Sequence, residues 1–548
     1  MTLLTVEGLT VSIGETRILD GVSLSVDAGE VLGLVGESGS GKSMTALSIM
    51  HLLPQGAVAG GTMIFDGKTL DALDEDTLCG LRGNDISMIF QEPMTALNPV
   101  MTIGAQIVEA VRIHRRVSDD EAEALMRDVL LRVDLPPEEC PPERYPHELS
   151  GGQRQRVVIA MAIVLKPKLI IADEPTTALD VTTQALILDL LRRLVAEDDI
   201  GLILISHDLA VVADMADRVA IMRNGAIVES GETVALFRTM QHPYSRMLRD
   251  ASTYRPALRQ RVPQDGTQRA PLLEARAIVQ HYRLPRATLF GPPTWFRALD
   301  DVGLTIHRGE NLGLVGESGS GKSTLARIIL ALTPPVSGTV MLDGRDFLAA
   351  RGPGKRDLRR HIQAVFQDPY GSFDPRYHVA HLIAEPFHLD DSHPSAAERR
   401  RRVDEALTEV GLTAADGDKY PHEFSGGQRQ RLAIARALVT RPSLIVLDEA
   451  VSALDVSSRA QVLDLLAELS DRLRVSYLFI AHDLSVVRAV TDRVVIMREG
   501  RIVEHGETEA VFANPRHPYT AALIAATPNL ERALAARTER NLQRATAE

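Results

Sequence analysis

Residues 33–43 read GLVGESGSGKS, and residues 313–323 read the same eleven letters. In the first copy an apolar, strand-like VLGLV leads in and a helix-like SMTALSIMHLL leads out. Gly36, Glu37, Ser38, Gly39, Ser40, Gly41, Lys42 and Ser43 fit G-x-x-x-x-G-K-[ST] in that strand-to-helix setting, the pattern of a phosphate-binding loop. Glycines let successive backbone N–H groups converge on phosphate oxygens, and the helix N-terminus adds positive potential. Lys42 reaches the terminal phosphates and Ser43 offers a hydroxyl to Mg²⁺. Gly316, Glu317, Ser318, Gly319, Ser320, Gly321, Lys322 and Ser323 repeat every part. Met44 and Thr324, next in each helix, complete the nucleotide-contacting sets.

The rest of the chain repeats as well. FQEP with Gln91 is answered by FQDP with Gln367, SGGQRQR from Ser150 by the same run from Ser425, and ADEP with Glu174 by LDEA with Glu449. SHDL at His207 and HPY at His242 recur at His482 and His517. From SGGQ onward the spacing between copies is a constant 275 residues, so the chain is a duplicated domain. The expected layout is a first domain over 1–253, a linker over 254–271 rich in Arg, Gln and Pro, a second domain over 272–530, and a polar tail over 531–548, read as a frayed terminal helix.

Composition bounds the function. The 548 residues carry 45% hydrophobic and 24% charged side chains, as folded globular chains do, and suffice for more than one domain. A net charge of −13 supplies no overall attraction to nucleic acid or anionic lipid. Cys79 and Cys140 are the only cysteines, too few for a disulfide framework or a four-cysteine metal site, which suits a reducing compartment. The N-terminus does not read as a secretory signal. The longest apolar run, residues 157–165, is about half of what a membrane span needs, so any membrane role is expected to be peripheral.

Within each copy short apolar runs, such as 31–35, 88–90, 169–172 and 202–205, alternate with helical stretches, as in a parallel α/β sheet. Asn224-Gly225 and Glu499-Gly500 sit between strand-like runs and predict tight hairpins. About sixty residues separate Gln91 from Ser150 and include a helical 121–133, consistent with an inserted helical lobe. The chemistry sits at strand ends. LIIAD and LIVLD end at Asp173 and Asp448, placed to hold Mg²⁺ through water, and the following Glu174 and Glu449 can polarise an attacking water. A lone strand-end Asp-Glu reads equally as a helix cap or salt bridge; the duplication argues for chemistry. His207 and His482 end another strand and are expected to contact the γ-phosphate. Gln91 and Gln367 are expected to serve Mg²⁺ and water.

Taken together these residues resemble the ATP-binding cassette family, whose signature is similar to Leu149-Ser150-Gly151-Gly152-Gln153 and to Phe424-Ser425-Gly426-Gly427-Gln428. The likeness spans almost the whole chain. It implies an α/β fold of two tandem phosphate-loop NTPase domains, each with a mixed β-sheet core, an antiparallel β subdomain and an inserted helical subdomain. It implies ATP and Mg²⁺ as cofactors, each ATP sandwiched between one half's phosphate loop and the other half's signature. Site one then combines Lys42, Ser43, Gln91, Asp173, Glu174 and His207 with Ser425, Gly426, Gly427 and Gln428. Site two combines Lys322, Ser323, Gln367, Asp448, Glu449 and His482 with Ser150, Gly151, Gly152 and Gln153. Asp180 and Asp455 resemble the loop through which the family's sites communicate. The family stacks adenine on an aromatic upstream of the phosphate loop; Tyr282 stands there in the second half, but Ile13 in the first. An insertion after Tyr282 carries Trp295, the only Trp, and its aromatics are expected to pack locally.

HPYSRML at His242, NPRHPYTAAL at Asn514 and QDPYGSFDPR at Gln367 resemble the fused ATPase subunits of the dipeptide, oligopeptide and nickel importers. That likeness implies an ATPase on the cytoplasmic face of the inner or plasma membrane, working with two membrane permeases and, indirectly, an extracytoplasmic solute-binding protein. Peptide is the cargo the branch implies by default; nickel, glutathione, opines and small glycosides stay open as alternatives for the same motor. The competing class, a tandem ATPase acting on ribosomes or nucleic acid, would be expected to carry a long charged linker or zinc-binding insertions, neither of which is visible. A purely regulatory nucleotide sensor would need damaged hydrolytic residues, and both halves keep theirs.

Overall fold

The structure is a computed structural model, which describes residues 2–91, 93–177, 179–252, 271–284, 295–368, 371–390, 394–452 and 454–547. The expected linker, except Pro271, and most of the insertion after Tyr282 lie outside the described residues.

Each half is built on two sheets. In the first half the six-stranded sheet runs Ala226–Glu232, Arg218–Arg223, Val31–Val35, Gly201–Ser206, Leu169–Asp173, Ile86–Ile89, parallel except for the hairpin at the Ala226–Glu232 edge. Val31–Val35 and Leu169–Asp173 are buried at every position, which is why they read as unbroken apolar runs rather than alternating ones. The second half repeats the sheet around Asn311–Val315. The predicted hairpins are present, with Asn224 and Gly225 at φ 49 and 81°, and Glu499 and Gly500 at 48 and 77°, as a tight turn with two left-handed residues demands.

A second, antiparallel sheet pairs Thr2–Ile13 with Thr16–Asp27 and Ala57–Phe65, and its counterpart pairs Pro271–Arg283 with Trp295–His307 and Ser337–Leu342. The inserted lobe holds Ile103–His114 and Asp119–Arg132 in the first half, and Val379–Ala384 and Ala396–Glu409 in the second. Three of these four helices start on side-chain caps, from Thr102, Ser118 and Ser395.

Of the aromatics flanking the insertion, Tyr282 and Phe296 are cross-strand partners, and Trp295 is 58% and Phe296 49% exposed. The last Ser337–Leu342 pairing to Pro271–Arg283 is Val279 with Ser337, so among the described residues no third strand pairs with the ribbon beyond it. The tail departs from expectation and is not frayed. Leu530–Ala547 is a helix whose Leu530 and Ala533 join the first half's core, beside Leu209–Met215. Arg537 is buried there, bonded to the Asp217 carboxylate and to the Asp214 carbonyl at 3.3 Å, while Arg540 takes Asp214 Oδ1 at 3.0 Å. Only one short apolar stripe supports this helix, too little periodicity to announce a partner 300 residues upstream.

The halves meet through their C-terminal helices. Pro243–Ser252 of the first packs on Val456–Leu473 of the second, and Pro518–Ala526 of the second packs on Val181–Asp198 of the first. Val181 is buried in the second half's core beside Tyr519 and Leu523.

Candidate functional site

The two phosphate loops have the same construction. Gly36 lies where a Cβ would fall 2.4 Å from the Met222 carbonyl oxygen, and Gly41 stands at φ 105° ahead of Lys42–Ile49. Both positions therefore need glycine, one for space and one for backbone conformation. Lys42 Nζ donates to the Gly36 and Glu37 carbonyls at 2.9 Å each, and Lys322 Nζ donates to Gly316 and Glu317 at 2.7 and 2.8 Å. Burial pushes both ammonium groups below the ordinary lysine range, against the pull of Glu174, Asp173 and Asp455 on Lys42 and of Glu449, Asp180 and Asp448 on Lys322. Among the described residues, the Ser40 and Ser320 hydroxyls are buried without a hydrogen-bond partner. Each loop thus holds a desolvated cation and an unspent hydroxyl.

Parallel pairing brings the strand-end residues to one rim, because Val35 lies opposite Ser206 and Asp173 opposite Ile205. Burial pushes the Asp173 and Asp448 carboxyls up; the Ser43 hydroxyl is bonded to Asp173, yet Asp173 Oδ1 is buried with no partner among the described residues. Glu174 and Glu449 sit in the left-handed region at φ 48 and 50°, a strained setting for a side-chain residue that is typical of functional positions. Glu174 Oε1 lies 3.1 Å from His207 Nδ1, while its Oε2 accepts from Gln91 Nε2 at 3.0 Å and from the Thr177 hydroxyl at 2.8 Å. Burial raises this carboxyl, but the bond and charge of His207, the Thr177 hydroxyl and Lys42 outweigh it and hold it at about 2. Glu449 receives Gln367 Nε2 at 2.7 Å and stands 3.5 Å from His482 Nδ1, whose hydrogen bond lowers the carboxyl despite burial. All the loop, carboxylate, histidine and glutamine candidates of each half therefore come together, and the chemistry available is that of a fixed carboxylate beside a phosphate cradle.

The signature serines cap helices. Ser150 and Gln153 form a capping box ahead of Gly151–Ile163, at 3.0 and 3.2 Å, and Ser425 with Gln428 does the same at 3.0 and 3.4 Å. The glycines differ in surroundings: a Cβ on Gly426 would meet nothing within 4 Å, whereas one on Gly152 would strike Thr183 Cγ2 at 2.4 Å and one on Gly427 Ser458 Oγ at 3.0 Å. The second glycine thus lets the signature helix lie against the helix that Asp180 or Asp455 caps. That helix carries the contact across the halves. Ser457 donates to Glu37 Oε1, and Thr182 donates to Glu317 Oε1 at 2.7 Å.

Ile13 and Tyr282 occupy equivalent register positions, paired with Thr16 and Phe296, and are 37% and 38% exposed, so either could meet a base. Sequence reasoning missed Thr177, Thr182 and Ser457, whose partners are decided by packing. It also took the duplicated HPY only as a marker, although that duplication was a usable signal: Tyr244 and Tyr519 hydroxyls accept the Glu37 and Glu317 backbone N–H, each at 3.0 Å.

This geometry defines a tandem nucleotide-hydrolysing cassette, and the family comparison agrees. The "ABC transporter" model matches residues 19–177 and 299–452, and "Oligopeptide/dipeptide transporter, C-terminal region" matches 228–275 and 503–548. The chain belongs to the ABC transporter family as a fused tandem ATPase of the peptide-importer branch, and its ATP hydrolysis energises import. It is 45% identical over 537 residues to the peptidoglycan transport ATP-binding protein YejF of Agrobacterium fabrum, covering 96% of this chain and 97% of that one. It is 44% identical to the glutathione import ATP-binding protein GsiA of Escherichia coli, covering 93% and 86%. A solved dimeric ATP-binding cassette with ADP and Pi matches 43% of this chain and 98% of its own at 28% identity, with a TM-score of 0.39. The ribosome or nucleic-acid alternative is not favoured. No helix among the described residues is long and apolar enough to cross a membrane.

Proposed function

We propose that each half hydrolyses ATP with Glu174 or Glu449 as the group that orients and deprotonates the attacking water, and that the paired sites drive import of peptides or small peptide-like solutes through two membrane permeases. The observation that carries this reading is how each glutamate is held: an imidazole on one oxygen, a glutamine amide on the other, and a left-handed backbone. His207 and His482 stand where they can meet a γ-phosphate and fix the glutamate, and Lys42 and Lys322 leave the loop carbonyls to bind phosphate oxygens. Asp173 with Ser43 and Gln91, and Asp448 with Ser323 and Gln367, would hold Mg²⁺; the buried, unpartnered Asp173 Oδ1 suits a cation. When bound, the ion neutralises phosphate charge and fixes its orientation.

Supporting the sandwich arrangement, Asp455 acts on Lys42 and Asp180 on Lys322, each across the interface. Ser425, Gly426, Gly427 and Gln428 thereby complete site one, and Ser150, Gly151, Gly152 and Gln153 site two. The names of YejF and GsiA favour peptidoglycan or glutathione as the class of cargo, delivered by an extracytoplasmic solute-binding protein, with this chain on the cytoplasmic face. Changing Glu174→Gln and Glu449→Gln together should abolish ATP turnover while ATP stays bound and the halves stay closed. Full turnover in that variant would overturn the assignment.

A further inference from the structure

Tyr244 and Tyr519 are buried, and nothing in the hydrolytic chemistry uses them. Each is fixed from both ends. The Tyr244 amide donates to His242 Nδ1 at 3.2 Å, and the amides of Gln241 and His242 donate to Glu229 at 2.8 and 3.3 Å. The copy repeats this with Tyr519 on His517 at 3.1 Å, and Arg516 and His517 on Glu504 at 2.8 and 3.0 Å. Arg223 and Arg498 cover the rings at 4.8 and 5.1 Å. The hydroxyl so placed takes the backbone N–H of the phosphate-loop glutamate, in both halves at 3.0 Å.

That glutamate is a crossing point. Its carbonyl holds the loop lysine, its N–H is held by its own half's tyrosine, and its carboxylate accepts a hydroxyl from the other half. The donor has a choice. Thr182 Oγ1 lies 2.7 Å from both Glu317 Oε1 and Asp180 Oδ1, and Ser457 Oγ lies 3.1 Å from Asp455 Oδ1 while also meeting Glu37. A hydroxyl carries one proton, so at any instant it serves either the opposite glutamate or its own aspartate.

We propose that the HPY tyrosines are positioning residues that clamp the phosphate-loop glutamate so that its carboxylate captures a hydroxyl from the opposing half, making the HPY element a determinant of ATP-driven closure. The helix bearing each tyrosine also packs on the opposing helix that supplies the hydroxyl, so the clamp and its target move as neighbours. The inference rests on the ATP-sandwich reading.

The test uses the full chain with Glu174→Gln and Glu449→Gln, carrying a fluorescence pair on exposed Cys79 and on Gly354→Cys, and reads closure against ATP concentration. Closure of this parent on ATP tests the sandwich itself; substitutions added to the parent test the clamp. Tyr519→Phe keeps the ring and removes the acceptor of the Glu317 N–H, and should raise the ATP midpoint roughly three- to ten-fold, the worth of one hydrogen bond between uncharged groups. Thr182→Val should do the same, and the double variant should move the midpoint no further than the larger single change. Glu317→Met, which keeps the backbone N–H bond to Tyr519 and removes the acceptor of the Thr182 hydroxyl, should match Thr182→Val. Multiplying shifts, or a parental midpoint in Tyr519→Phe with an unchanged melting temperature, would overturn the proposal.

Discussion

The Thr177 hydroxyl donates to Glu174 Oε2 at 2.8 Å, whereas its counterpart Ser452 turns away from the Glu449 side chain and donates to the Glu449 backbone carbonyl at 2.9 Å. The proposed bases are therefore held differently in two otherwise repeated sites. Removing the donor with Thr177→Val should cost site one about 1–2 kcal/mol of positioning, a five- to thirty-fold fall in single-turnover hydrolysis. Ser452→Ala should leave site two within about two-fold. Each site is read alone by disabling the other with Lys322→Ala or Lys42→Ala.

Adenine recognition offers a second asymmetry, because Ile13 and Tyr282 share one register position. Ile13→Tyr should tighten nucleotide binding at site one, by up to about the 1–3 kcal/mol that base stacking supplies. Titration of a fluorescent nucleotide into an Ile13→Tyr, Lys322→Ala chain checks this; unchanged or weaker binding would place the adenine elsewhere.

The tail helix should stabilise the first half from the far end of the chain. Arg537 is buried against Asp217, whose other carboxylate oxygen accepts the Val31 N–H at the start of the phosphate-loop strand, at 2.9 Å. Arg537→Ala should cost about 1–3 kcal/mol, between a surface pair and a buried one. Hydrogen exchange should speed up at residues 209–217 and stay parental at 484–492, the corresponding helix of the second half. Equal acceleration in both would refute a tail that acts on one half.

Acid should loosen the HPY elements. Burial raises the carboxyls of Glu229 and Glu504, but the Gln241 N–H, the Ser245 hydroxyl and the His242 N–H at Glu229, and the Thr520 hydroxyl and the Arg516 and His517 N–H groups at Glu504, prevail and hold both below the ordinary 4.5. A depressed folded value means that the stabilisation is fully present above the ordinary value and is lost as pH falls through the folded one. Exchange at residues 240–245 and 515–520 should therefore rise below about pH 4.5, and Glu504→Gln should remove that pH dependence in the second half alone. A pH-independent profile in the parent would show that these carboxylates do not anchor the elements.

What the sequence by itself determined is the content of each half. The duplication declared two domains, and every strand-end motif, from Lys42 to His207 and from Lys322 to His482, lies on the rim where the sequence placed it. The physical reason is that a parallel sheet built of short buried strands brings the carboxyl ends of neighbouring strands together, so motifs distant in the chain converge once each is known to end a strand. The glycine pattern was readable for the same local cause, since backbone conformation and close approach act on single residues.

Only the tertiary structure decided which hydroxyl meets which carboxylate. Thr182 with Glu317 and Ser457 with Glu37 are contacts across the halves, and no local periodicity encodes a partner 135 or 420 residues away. Thr177 and Ser452 occupy matching positions in the repeat, yet their hydroxyls choose different acceptors, a rotamer choice made by surroundings rather than by residue type. The docking of Arg537 on Asp217 belongs to the same class: a short stripe on a polar helix acquires meaning when the groove beside Leu209–Met215 is folded and waiting for it.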